Sequence, residues 1–124
     1  IWFVRQFRTP TGRALLELPA GGMDDGELAS EAALRELQEE IGCTAENLQH
    51  LSSFFLAPGW CDEYMHAYLA TGLTPSKLEA DDDENILIEK IPVSDVMRLI
   101  HNGEIDDVKT IAGLLLAMQV LGDN

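Results

Sequence analysis

Three glutamates, Glu36, Glu39 and Glu40, lie close together in a segment whose apolar spacing predicts a helix. Side chains three and four residues apart are neighbours on a helix surface, and like charges at those spacings destabilise the helix by about 0.2–0.5 kcal/mol per pair. A divalent cation reverses that effect, because hard ions bind carboxylate oxygens and can bridge them to the phosphates of a substrate. The cluster therefore predicts a metal site; the alternative is an acidic helix face exposed to water.

The same segment predicts a helix that begins near residues 25–27 and ends at Gly42. Acidic residues at the start favour the positive end of the helix dipole, and glycine readily adopts the left-handed conformation that ends many helices. One side of this helix is suited to burial, while the three glutamates project from another side. The residues on the side to be buried are Ser30, Ala33, Leu34, Leu37 and Ile41.

The charged residues and glycines of this segment have a regular spacing. It runs Gly21, five residues, Glu27, seven residues and then RELQEEIGC, which ends at Cys43. This segment, residues 21–43, resembles the Nudix box, GX5EX7REUXEEXGU, in which U is a bulky aliphatic residue. The one departure is Cys43 in the last position, and it is mild because a free cysteine packs as a small hydrophobic residue.

The resemblance implies a metal-dependent hydrolase site built from the loop before the helix and from the helix itself. A carbonyl of that loop, assigned to Ala20, joins the glutamates on Mg²⁺ or Mn²⁺. Glu27 and Arg35 are implied to hold loop and helix together; the alternative for Glu27 is that it reaches a metal. Arg35 and Glu39 are also expected to be catalytic. The implied metal ligands are Ala20, Glu36, Glu39 and Glu40.

Residues outside the box resemble the ADP-ribose pyrophosphatase subgroup of the family. Pro58, fifteen residues after Cys43, is placed as in that subgroup, and the runs VRQFR (4–8), ELPAG (17–21) and GEIDD (103–107) follow its pattern. The implied reaction converts ADP-ribose to AMP and ribose 5-phosphate. One alternative is a Nudix hydrolase for another nucleotide sugar or dinucleotide, such as GDP-mannose. Another is a module that binds a nucleotide sugar without cleaving it, which the mutually repelling glutamates disfavour.

The formal net charge is −14, from 22 acidic and 8 basic residues, which argues against a nucleic-acid partner. A small molecule that carries phosphates therefore needs local positive charge, from the metal and from arginines. Arg5, Arg8 and Arg13 are predicted to contact these phosphates; the alternative is that they lie in solvent on a hairpin. The predicted substrate-binding set is completed by Glu17, Gly21 and Pro58, within the runs that carry the resemblance.

A general base is expected among the acidic residues outside the box. Glu84 ends the run EADDDE (79–84), just before a predicted strand, where the subgroup carries a catalytic glutamate. Glu63, in the loop after Pro58, is the second candidate. The alternative for the acidic run is a solvated loop without a catalytic role.

Predicted strands are interleaved with predicted helices along the chain, which indicates an α/β fold with a mixed sheet covered by helices on both faces. This agrees with the α/β/α sandwich of the Nudix family. We expect a single Nudix domain, residues 1–124, whose N-terminal part is missing because the chain starts inside a strand without Met. In relatives that part often supplies dimer contacts, so a homodimer is expected. The predicted strands are 1–7, 14–18, 48–56, 64–73 and 85–91, and the further helices are 95–101, capped by Ser94, and one from Asp106 or Asp107 to 121.

The chain contains no apolar run as long as a membrane span and no signal peptide, so no membrane partner is expected. Two cysteines, Cys43 and Cys61, form neither a CxxC pair nor a disulfide framework. This use of cysteine favours a reducing, cytoplasmic setting.

Overall fold

The computed structural model describes residues 1–76 and 86–122. Within these residues the predicted α/β class is confirmed, because helices are interleaved with strands along the chain. The strands are β1 (Trp2–Arg8), β2 (Arg13–Glu17), β3 (Cys43–Phe55), β4 (Tyr64–Pro75) and β5 (Leu87–Lys90), with a 3₁₀ turn (Thr9–Thr11) between the first two. The helices are α1 (Ala29–Ile41), α2 (Val93–His101) and α3 (Val108–Gly122).

The strands form two sheets of antiparallel pairs within the described residues. In the first sheet β1 lies between β2 and β5, and β1 pairs with β2 from Val4 opposite Glu17 to Arg8 opposite Arg13. In the second sheet β3 pairs with β4. Gly12, with a φ of 71°, lies in the short connection between β1 and β2, and tight connections of this kind join antiparallel strands. The strands expected in one mixed sheet are thus distributed over two sheets.

Helices cover both faces of the three-stranded sheet. Phe3 and Val4 are neighbours on β1, so their side chains point to opposite faces. Phe3 is buried among residues of α2 and α3, whereas Val4 is buried with residues of α1 and with Cys43. The sheet therefore lies between α1 on one side and the other two helices on the other side, which confirms the predicted α/β/α sandwich. Among the described residues, no helix is both long and apolar enough to cross a membrane.

Helix α1 begins at Ala29, so the predicted start near residues 25–27 is wrong. Gly26 has a φ of 77°, outside the helical region, and the N–H of Glu27 donates to the carbonyl of Asp24 at 3.0 Å. These features form a turn that delays the start of the helix. The predicted end is confirmed, because Gly42 has a φ of 67° and its N–H donates to a carbonyl of the last helical turn at 3.0 Å.

Three other boundaries illustrate how pairing and capping set the ends of elements. Strand β3 begins at Cys43, before the predicted position 48, because its first residues pair with the end of β4. Helix α2 begins directly after Pro92, so Ser94 lies inside its first turn. The prediction that Ser94 caps this helix is therefore wrong. Helix α3 follows Asp107, as predicted, and Asp107 Oδ2 accepts a hydrogen bond from the N–H of Thr110 at 3.1 Å.

Candidate functional site

The loop of residues 19–22 lies against the glutamates of α1. The N–H of Ala20 donates to Glu40 Oε2 at 2.9 Å. At Gly21 a Cβ would lie 2.0 Å from Glu36 Cδ and 2.1 Å from Glu36 Oε1. A larger residue would push this carboxylate away, so glycine is needed to keep Glu36 where it is. The structure therefore brings together four of the predicted residues, two from the loop and two from the helix.

Arg35 connects this loop to the helix through its whole guanidinium group. Nε and Nη2 donate to the two carboxylate oxygens of Glu27, at 2.9 and 3.0 Å. Nη1 donates to Glu36 Oε1 at 2.9 Å and to Glu39 Oε2 at 3.1 Å, while Nη2 also donates to the carbonyl of Gly22 at 2.8 Å. The paired bonds to Glu27 have the fork geometry that suits arginine and carboxylate. This arrangement is the one expected of a residue that holds loop and helix together.

The charges around Arg35 stabilise one another. The hydrogen bond to Glu27, together with the one to Glu36, raises the pKa of Arg35 above its ordinary value despite partial desolvation. Hydrogen bonds from Arg35 and from the N–H of Asp24 lower the pKa of Glu27 below its ordinary value. Both groups are therefore charged at neutral pH, and the guanidinium offsets part of the repulsion among the box glutamates.

The donor set suits a hard divalent cation in chemical kind. Glu36, Glu39 and Glu40 offer carboxylate oxygens beside a loop whose backbone approaches them closely, and Mg²⁺ and Mn²⁺ prefer oxygen ligands. In the part of the chain that the structure describes, no three Asp, Glu, His or Cys side chains converge on one point that would hold an ion. Glu36 and Glu39 instead bind Arg35. The ligand roles of these glutamates and of Ala20 thus stay predictions.

The three arginines predicted to bind substrate phosphates each bind a carboxylate from another strand or from a loop. Arg8, for instance, donates through Nε and Nη2 to the two oxygens of Glu17 at 2.8 Å each. Their role in phosphate binding stays a prediction. In that role, each arginine would bind a phosphate either in addition to its present carboxylate partner or in place of it. The pairs are Arg5 with Glu89, Arg8 with Glu17, and Arg13 with Asp106.

Glu17, predicted to bind substrate, is the centre of a buried ionic network. Its side chain is 1% exposed, and besides Arg8 it accepts a hydrogen bond from Lys109 Nζ at 2.5 Å. Burial raises the pKa of Glu17, but the hydrogen bonds from Arg8 and Lys109 outweigh burial and lower it below the ordinary value. Lys109 also donates to Asp107 Oδ2 at 2.9 Å. Sequence reasoning missed Lys109, although it is the one charged residue within α3.

A cavity of about 500 Å³ adjoins the loop and α1. Its wall includes Glu36 and also Glu63, which lies in the loop just before β4. The second candidate for the general base therefore lines the same cavity as a box glutamate. Pro58 is exposed in the turn of residues 57–61, outside the residues that line this cavity. Glu84, the first candidate for the base, lies outside the described residues, and its role stays a prediction.

The chain is similar to known proteins over most of its length. A family model described as NUDIX domain matches residues 1–114. The ADP-ribose pyrophosphatase of Bacillus subtilis (strain 168) is 39% identical over 112 residues, which cover 89% of this chain and 60% of the relative. The ADP-ribose pyrophosphatase of Mycobacterium tuberculosis is 41% identical over 115 residues, which cover 90% of this chain and 56% of the relative. The chain thus spans less than two thirds of these relatives.

Among solved structures, the crystal structure of an ADP compounds hydrolase superposes on this chain with a TM-score of 0.89. The two chains are 29% identical, and the superposition covers 98% of this chain and 66% of the other. The similarity therefore includes the loop, the three-stranded sheet described above and α1, which is the helix of the Nudix box and is called the box helix below.

Proposed function

Because this chain belongs to the NUDIX domain family, we propose that it takes part in the metal-dependent hydrolysis of ADP-ribose to AMP and ribose 5-phosphate. The observation that carries this proposal is the contact of the loop with the box helix, in which Ala20 and Gly21 meet Glu40 and Glu36. The choice of ADP-ribose is supported by the two similar ADP-ribose pyrophosphatases.

The residues proposed to hold Mg²⁺ or Mn²⁺ are the box glutamates and the backbone of Ala20. When bound, such an ion stabilises charge on the phosphoryl oxygens and lowers the pKa of the attacking water. Arg35 Nη1 donates to one oxygen of Glu36 and one oxygen of Glu39, so each carboxylate can bind a cation through its second oxygen or by turning from the guanidinium. Arg35 keeps its two bonds to Glu27 and its bond to Gly22 in that event, and these continue to fix the loop.

The other residues act by position and charge. Transfer of a phosphoryl group depends mainly on alignment and on stabilisation of charge at the phosphate oxygens, because the protein does little covalent chemistry. Arg5, Arg8 and Arg13 are proposed as sources of that charge. They lie on one hairpin, in which Arg8 is opposite Arg13 in the strand register.

A substrate panel tests the proposed reaction. ADP-ribose, GDP-mannose and a dinucleotide are incubated with the protein and with Mg²⁺ or Mn²⁺, and the released phosphomonoester is measured. We expect ADP-ribose to give the highest kcat/KM, and a metal chelator to remove the activity. A clear preference for GDP-mannose would reassign the substrate within the family, and binding of ADP-ribose without any product would indicate a sensing module.

The general base is proposed to be Glu84, with Glu63 as the alternative. Glu84→Gln is then expected to lower kcat by roughly 10²–10⁴-fold, the usual contribution of a positioned acid–base group, with a small change in KM. Glu63→Gln is the matched variant. It makes the same chemical change at Glu63, which lines the cavity. If Glu63→Gln is crippled and Glu84→Gln is not, the role passes to Glu63.

The setting proposed for the protein is the cytoplasm, as a homodimer. Support for a reducing compartment comes from the cysteines, since Cys43 is buried and free and Cys61 is also free. The dimer rests on the family resemblance. Light scattering coupled to gel filtration gives the molar mass in solution, and a mass of one chain at micromolar concentration would contradict the dimer.

A further inference from the structure

The first turn of α3 holds the two residues that precede the loop of residues 19–22. Lys109 Nζ donates to Glu17 Oε1 at 2.5 Å, and the N–H of Leu18 donates to Thr110 Oγ1 at 3.1 Å. Thr110 is fully buried, and its hydroxyl donates in turn to Asp107 Oδ2 at 2.5 Å. Two consecutive residues are thus bound to one helical turn, one by its side chain and the next by its backbone.

The side chain of Leu18 is held by the same helix. A Cβ on Gly113 would lie 2.9 Å from Leu18 Cδ1, so this side chain packs directly against the backbone of α3. Leu18 therefore has both a polar and an apolar contact with α3. Neither contact involves the box helix, and both fix the position at which the loop leaves β2.

The contacts that hold Leu18 lie close in sequence to the loop residues that contact the box glutamates. Ala20, whose N–H binds Glu40, follows Leu18 by two residues, and Gly21 follows Ala20. An extended residue spans at most about 3.3–3.6 Å, so a shift at Leu18 has little chain in which to be absorbed before it reaches Ala20. The hydroxyl of Thr110 is thereby connected to Glu40 through one short piece of backbone.

We infer that Thr110 and Lys109 are positioning residues, which set the loop of residues 19–22 against Glu36 and Glu40 and so determine how tightly the site binds its divalent cation. This inference rests on the proposed function. Neither side chain is assigned a contact with the cation; both act through the loop. Groups that orient metal ligands typically change metal affinity by about 10–100-fold when they are removed.

The test is a direct titration of Mn²⁺ into the purified, metal-free protein, with the free ion followed by EPR. Thr110→Val removes the hydroxyl and keeps the shape, so we expect Mn²⁺ to bind roughly 10–100-fold more weakly. Thr110→Ser keeps the hydroxyl and should restore affinity to within a few-fold of the wild type. The control is Thr74→Val, the same chemical change at an exposed position of β4.

A second measurement separates positioning from a general loss of stability. Hydrogen exchange of the Leu18 and Ala20 amides should become faster in Thr110→Val, while exchange within β3 and β4 stays as in the wild type. A folded Thr110→Val protein that binds Mn²⁺ as tightly as the wild type overturns the inference. Should Thr110→Val fail to fold, Lys109→Gln decides instead: weaker Mn²⁺ binding supports the inference, and unchanged binding overturns it.

Failure of the inference can be distinguished from failure of the proposed function, because Mn²⁺ binding requires no substrate. If no diphosphate compound is cleaved but Thr110→Val still weakens Mn²⁺ binding, the proposed reaction is wrong and the inference stands. If ADP-ribose is cleaved and Thr110→Val binds Mn²⁺ normally, the inference alone is wrong. A wild-type protein that binds no Mn²⁺ overturns both.

Discussion

At the scale of single residues, the three box glutamates differ in their surroundings. Glu36 is 16% exposed and lies under Gly21, and Glu40 accepts a hydrogen bond from the backbone of Ala20. Glu39 is 48% exposed and binds Arg35 at 3.1 Å. The first two are therefore held by the loop as well as by the helix, and we expect them to contribute most to metal binding.

Glu36→Gln and Glu40→Gln, made separately, should abolish hydrolysis and leave the fold intact. Each change removes one negative charge and keeps the shape and an acceptor oxygen. In the absence of metal, the free energy of unfolding should stay within a few tenths of a kcal/mol of the wild type, because loss of like-charge repulsion offsets loss of a hydrogen bond. Turnover with saturating Mg²⁺ and melting without metal are the two measurements. Near-wild-type turnover in both variants would rule out the assigned metal site.

Gly21→Ala and Gly22→Ala form a matched pair with different expected outcomes. At Gly21 a Cβ meets the flexible end of Glu36, which can move aside. The variant should therefore fold, but with the carboxylate of Glu36 displaced. At Gly22 a Cβ meets nothing within 4 Å. We therefore expect Gly21→Ala to lose most of its activity and Gly22→Ala to keep it. Activity and circular dichroism are compared for the two; equal activities would mean that Glu36 is not needed in its present position.

At the scale of elements, prediction from the sequence succeeded where the signal is local. The end of α1 at Gly42 depends on residues within a few positions and follows from the left-handed conformation of glycine. The side predicted for burial is only partly correct: Leu37 and Ile41 are buried, whereas Ser30, Ala33 and Leu34 are partly exposed and Ala32 is buried instead. The start of α1 was misplaced because Gly26 and its turn override the acidic signal. The contact between Glu17 and Lys109 could not be predicted, since 92 residues separate them and no local pattern links them.

The network that joins β2 to α3 predicts a pH dependence of stability. The pKa of Glu17 is lowered from its ordinary 4.5, so its contribution is fully present above pH 4.5 and is lost as pH falls through the lowered value. Glu17→Gln should lack this loss and show a flatter acid limb. At pH 7 it should be less stable by roughly 3 kcal/mol, the lower end for a broken buried pair, because Arg8 is partly exposed.

Urea unfolding of the wild type and of Glu17→Gln between pH 6 and pH 3 gives both quantities. Glu46→Gln, at an exposed position of β3, is the control for loss of one negative charge. If the wild type and Glu17→Gln lose stability in parallel as the pH falls, Glu17 is not the group that titrates.

At the scale of the whole molecule, net charge and metal binding are connected. A formal charge of −14 disfavours the compact state through self-repulsion, and a bound divalent cation reduces that charge where carboxylates are most crowded. The family and the fold class could be predicted because the box motif and the order of elements can both be recognised in a single sequence. The two-sheet arrangement could not, since strand partners are chosen by packing across the molecule.

Mg²⁺ should therefore raise the melting temperature of the wild type. At a free concentration 100 times Kd, a ligand that binds only the folded state stabilises it by about 2.7 kcal/mol, which corresponds to several degrees for a domain of this size. Glu36→Gln should show little of this shift. Differential scanning calorimetry over a series of Mg²⁺ concentrations measures it, and an equal shift in both proteins would place the stabilising ion elsewhere.

The bond between Lys109 and Glu17 also sets an order of events during protein synthesis. The box segment ends at Cys43 and α3 ends at Gly122, so 79 residues are still to be added when the box segment is complete. At about 5–20 residues per second, the interval is roughly 4–16 s. Throughout that time the box segment is complete in sequence but lacks the helix that anchors its loop. The nascent chain thus carries three crowded carboxylates before α3 is available to hold the two residues that precede the loop.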